Sequence, residues 1–125
     1  MALFQEREEE RFVDRTTAYF RVKFADAIAH LDEVTLRRMV QAGIARARRH
    51  GLTWESSLVR FLLLMFQVAP NFDQHPAFAR ALSDVALPEA ARMAEIFERV
   101  TPEEWREAQL AYDDRAWDEG TVTPC

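Results

Sequence analysis

A chain of 125 residues, 49% hydrophobic and 30% charged, has the length of one ordinary domain and is too apolar to be disordered. With 3 Gly and 5 Pro it is neither collagen-like nor a turn-rich all-β fold, and 1 Cys excludes an internal disulfide or a multi-cysteine metal centre. The net charge of -5 argues against generic nucleic-acid binding while leaving room for a local basic patch.

The first helix is expected from about Glu6 to Leu31. Phe12, Tyr19, Phe20, Phe24, Ala27, Ile28 and Leu31 recur at helical spacing, and Glu8-Glu9-Glu10 falls in the first turns, where the helix dipole favours negative charge. Asp32 is placed to cap a second helix whose stripe is Leu36, Val40, Gly43, Ile44 and Ala47. Gly43 in mid-helix costs about 1 kcal/mol relative to alanine, which predicts close approach of a neighbouring helix. Arg46, Arg48, Arg49 and His50 crowd the last turn, and Gly51 follows as the left-handed C-terminal residue.

Thr53 is expected to cap a third helix, from about Trp54 to Val68, that is apolar on every face and therefore central. Residues 69–76 form the main loop between two prolines. A short fourth helix turns Phe78, Leu82 and Val85 inward. Pro88 opens a fifth with Met93, Ile96, Phe97 and Val100 as its stripe. Thr101-Pro102-Glu103-Glu104 starts a sixth, with Trp105, Ala108 and Tyr112 on one face. The expected fold is an all-α orthogonal bundle of five or six helices around the apolar helix at about 54–68, one domain over 1–117 with a flexible tail at 118–125.

Charge is uneven along this map. Residues 1–31 sum to -1, residues 32–50 to +3 and residues 51–125 to -7, a polarity that suits a charged protein partner or pairing between helices. The acidic N-terminus carries no export signal, and Phe61–Phe66 is far short of the about 20 apolar residues that span a bilayer. A cytoplasmic setting without membrane contact is expected, with no role assigned to the terminal Cys125.

Few residues suggest chemistry. His30 with Asp32 and Asp73 with His75 are the closest His–carboxylate pairs, too few to converge as a metal site. Ser56 and Ser57 have no adjacent base for nucleophilic catalysis, and no glycine-rich phosphate loop is present. No catalytic residue, metal or cofactor is therefore expected. Arg46–Ser57 has the helix, glycine turn and capped helix of a helix-turn-helix, but its second helix would carry the core run Phe61–Phe66 into the groove. Phe72, in a loop between prolines, and Trp117, beyond the last stripe, are candidate aromatic anchors for a partner, with Phe72 open to a second role as a plug folded back on the core.

His50-Gly51-Leu52-Thr53, then Arg60-Phe61 with Leu64-Met65-Phe66, then Pro70, Phe72 and Asp73, form the most distinctive stretch. Together with Leu36–Ile44 it resembles a family of small helical proteins encoded beside bacterial type VI secretion and polymorphic-toxin genes, over about half the chain. Ala69 stands where that family usually has Gly. The resemblance implies a non-enzymatic accessory protein, adaptor or chaperone for a secreted effector or spike component. An immunity protein that neutralises a cognate toxin is the alternative, and a helix-turn-helix regulator is a further one from a different class. Within the resembling motif Arg60, Phe72 and Asp73 are the residues that could meet a partner, although Arg60 could instead pair with Asp73 to fix the loop.

Overall fold

The computed structural model describes the backbone of residues 2–119, and side chains over 7–118. Every regular element among these residues is helical: α1 (Ala2–Lys23), α2 (Ala25–Ile28), α3 (Glu33–Arg49), α4 (Glu55–Gln67), a 3-10 turn (Phe72–Gln74), α5 (Pro76–Leu82), α6 (Glu89–Arg99), α7 (Pro102–Leu110) and α8 (Ala116–Glu119). The fold is all-α, as its periodicity predicts. No described helix is long and apolar enough to cross a membrane. The chain forms two compact units, one through Gln41 and one from Ala42 onward, with the boundary inside α3.

In the first unit the expected long helix is broken. Phe24 leaves helical geometry at φ -127° and ψ 34°, separating α1 from the single turn of α2. Arg21 bridges the break, donating to Ile28 O at 3.2 Å, which also accepts from Leu31 N, and to Leu31 O at 2.7 Å. Phe12, Phe20 and Ile28 are buried, whereas Tyr19 and Ala27 stay exposed. Because α1 starts at Ala2, Glu8–Glu10 lie beyond its first turn, out of reach of the dipole's positive end. Asp32 does cap α3, its Oδ1 accepting from Thr35 N at 2.7 Å.

The second unit is arranged on α4. Leu58, Phe61, Leu62, Leu64 and Met65 are buried, and the neighbouring elements reach α4 on several sides. Phe61 meets His50 and Phe72 at ring-centroid distances of 5.5 and 4.8 Å, and Phe66 meets Trp117 at 4.8 Å. Gln109 of α7 donates to Gln67 O at 3.2 Å. One strip of α4 remains open: Ser56, Arg60 and Gln67 are exposed at helical spacing, so the helix is not buried all round.

The α3–α4 corner follows its glycine. Gly51 takes φ +81°, its N–H donates to Arg48 O at 2.9 Å, and Leu52 N donates to Ala47 O at 3.3 Å, the paired bonds of a helix end that turns left-handed. Gly43 meets α4 closely. A Cβ there would lie 2.1 Å from Leu62 Cδ2, 3.1 Å from its Cγ and 3.2 Å from Met65 Sδ. Gly43→Ala would gain about 1 kcal/mol of helix propensity. Overpacking typically costs about 1–3 kcal/mol, and fully buried Leu62 has little room to yield. A net loss of up to about 2 kcal/mol is expected from urea denaturation, and a gain would show that the two helices are free to move apart.

The later elements keep the expected order with changed faces. Val85 is 85% exposed in the loop after α5, because that helix ends at Leu82 before Val85 can turn inward. Phe97 is exposed beside the half-buried Trp105, so the inner stripe of α6 is Met93 and Ile96. Tyr112 lies past the end of α7, and exposed. Thr101 and Glu104 close a reciprocal capping box at the start of α7. Asp118 and Glu119 belong to α8 rather than to a tail, while 120–125, including Cys125, lie outside the described residues.

Candidate functional site

The most concentrated polar constellation of the second unit joins the end of α3 to the 3-10 turn. Arg46 and Asp73, each with a side chain only 5% exposed, pair through two bonds: Arg46 Nε to Oδ2 at 2.8 Å and an Nη to Oδ1 at 2.7 Å. This two-pronged geometry is the strong form of an ion pair. His50 adds its Nε2 to Asp73 Oδ2 at 2.7 Å, and its ring lies against Phe61. Burial pushes the Asp73 carboxyl up, but the bonds and charges of His50 and Arg46 outweigh it and hold the group below its ordinary value. Arg46, Arg49, His50 and Asp73 line a shallow, open hollow.

Arg92 of α6 supports the same corner. Its guanidinium is buried and donates to His50 O at 3.3 Å and Leu82 O at 3.1 Å, placing a cation at the carbonyl ends of α3 and α5. Its Nε has no partner.

A second arrangement holds the start of α4. Thr53 does not cap this helix with its own side chain. The Glu89 carboxylate reaches across from α6 and accepts from Thr53 N at 2.9 and 3.0 Å, Trp54 N at 2.9 Å and Thr53 Oγ1 at 2.7 Å. Some burial opposes ionisation, but these bonds and one from the Ser57 hydroxyl hold the group at about 2. An anion at a helix N-terminus is thus supplied by the chain itself. The backbone N–H groups of Thr53 and Trp54 are thereby held by α6, while the Trp54 side chain is 61% exposed.

The four residues read from the sequence as partner contacts separate in the structure. Phe72 is fully buried, its ring 4.8 Å from Phe61 and 5.3 Å from Phe78, so it is the core plug and not an exposed anchor. Asp73 is buried against Arg46 and His50. Arg60 does not pair with it: Arg60 stands on the exposed strip of α4, whereas Arg46 shares the inward face of α3 with Gly43. Trp117 is half-buried, its ring 4.8 Å from that of Phe66, at the start of α8, so it covers the core rather than standing free as an anchor. Of the four, only Arg60 is exposed.

The His–carboxylate pairs also differ from those adjacent in sequence. Asp73 takes His50 rather than His75, and His75 takes Glu107 of α7 at 3.0 Å. Among the described residues no group of three or more His, Cys, Asp or Glu converges as a metal-binding set. Arg46 and Glu89 were missed by sequence reasoning. Arg46 carried a legible signal, since it lies three residues after Gly43 on the inward face, where a cation requires a buried acid. Glu89 carried none, because its partners are 35 and 36 residues away.

A hollow between α5, α6 and α7 is lined by Ala77, Ala81 and Val100 with Arg80, Arg99, Glu95 and Glu104, so its charges balance. The charge polarity of the sequence is also reduced by pairing. Arg37 is bound to Asp14 and Arg46 to Asp73.

Comparisons with protein families, curated proteins and solved structures find no match to this chain.

Proposed function

We propose that the protein is a non-enzymatic accessory protein that binds a secreted effector or a spike component of a bacterial type VI secretion system. The sequence resemblance supplies the system, and the exposed Trp54 supplies the observation that carries a binding role. Tryptophan is rarely left in water on a stiff support without use, and it is enriched among residues that dominate interface energy. Glu89 fixes the backbone at Trp54, so little ordering entropy is lost when a partner covers the ring. Val85, four residues before Glu89, is also exposed.

The test is co-expression with the products of the adjacent secretion genes, followed by affinity measurement. A neighbouring effector or spike protein is expected to bind, and Trp54→Ala is expected to weaken it at least about thirtyfold, the equivalent of one hot-spot residue. Melting of the variant is expected to stay close to that of the parent. Absence of binding to every neighbouring product would overturn the reading, and unchanged affinity in Trp54→Ala would remove Trp54 from it.

A further inference from the structure

His75 sits where the 3-10 turn passes into α5, and both of its ring nitrogens are engaged. Nδ1 lies 3.1 Å from the backbone N of Ala77, and Nε2 lies 3.0 Å from Glu107 Oε1. A backbone N–H can only donate, so Nδ1 is the acceptor and carries no hydrogen. Nε2 therefore bears the ring hydrogen and donates it to the carboxylate. His75 acts as the N-cap of α5 in this one tautomer, and neutral. The imidazolium has a hydrogen on each nitrogen and accepts nothing.

We propose that His75 is a proton-operated latch on α5: neutral, it caps the helix through Ala77 N, and on protonation it releases the cap while keeping Glu107. Charged groups approach it from α7 and α5. Glu107 and Glu104 come from α7, Glu104 being near enough to feel the His75 charge, and Arg80 of α5 acts on Glu104 in turn. The preceding turn contributes Asp73, already committed to Arg46 and His50. The Phe78 ring lies edge-on to it at 5.8 Å and 87°.

Protonation of His75 thus frees the first turn of α5, while the two bonds from Arg46 keep the preceding turn pinned at Asp73. Because α5 supplies Ala77, Arg80 and Ala81 to the hollow shared with α6 and α7, the release alters that hollow and leaves the core in place.

The Ala77 amide is a direct reporter, as the imidazole is the hydrogen-bond acceptor found for it. Amide exchange by NMR, corrected for intrinsic rates, would be compared at pH 8 and pH 5.5. Wild-type protection at Ala77 is expected to fall about fivefold on acidification, the equivalent of one lost N-cap. His75→Asn retains a capping side chain that does not titrate, and its Ala77 protection is expected to be the same at both values. Glu107→Gln is expected to keep the wild-type fall, because it leaves the cap intact. A wild-type change below about twofold, or an equal fall in His75→Asn, would overturn the proposal.

Discussion

Replacing Asp73 with alanine is expected to cost about 3–5 kcal/mol of stability, because it leaves the Arg46 guanidinium buried without its counter-charge. Domains of this size are typically stable by about 5–15 kcal/mol, so the loss takes a large share of what the fold has. The direction of the cost distinguishes the broken pair from the absent pair. Arg46→Met combined with Asp73→Leu removes both charges and is expected to recover most of the loss, since a buried ion pair exchanged for packed apolar groups is often neutral. The dependence on pH follows from the lowered Asp73 value. A carboxyl held lower in the folded state than in the unfolded chain stabilises above its unfolded value, and that contribution disappears as pH falls through the folded one. The gap between wild type and Asp73→Ala, followed by urea denaturation, is therefore expected to be full at pH 7 and to narrow below about pH 4. A cost under about 1 kcal/mol at pH 7 would show that water reaches Arg46 freely.

Phe72→Ala is expected to lose a comparable amount, about 3–5 kcal/mol, from the cavity left between Phe61 and Phe78. The result decides between the two roles that the sequence leaves open for this residue. A partner anchor would leave the melting temperature unchanged and reduce binding alone. A core plug lowers the melting temperature and affects binding only through loss of folded protein. The fully buried ring predicts the second outcome, read by thermal denaturation with and without partner.

Much of this fold can be read from short-range rules. The Asp32 cap, the left-handed Gly51, the Thr101–Glu104 box and the buried face of α4 each depend on residues within one or two turns, and the structure has them all. The site was less legible. Asp73 and Arg60 are 13 positions apart in a shared motif, yet the partner of Asp73 is Arg46, 27 positions away. Which cation meets a buried acid depends on where the 3-10 turn is laid against α3, and helix periodicity holds no information on that. Only the position of Arg46 on an apolar stripe hinted at it. Trp117 and Val85 failed for a related reason: whether a residue past the last periodic turn folds back or stays in water is decided by tertiary contacts. Trp117 found Phe66 to cover, and Val85 found nothing.

The polar groups of the motif are thus largely consumed by the fold. His50 and Asp73 bind each other, and Phe61 and Phe72 pack together, so its three segments build one corner. The proposed binding is therefore assigned to residues that this corner exposes. Chemical-shift mapping tests that assignment most directly, with the labelled protein titrated by whichever effector or spike protein is found to bind it. The Trp54 indole and the amides around Val85 and Glu89 are expected to shift first and most, while Phe72 and Asp73 stay in place. A binding event that leaves the Trp54 indole unmoved, or one centred on Phe72 and Asp73, would contradict it.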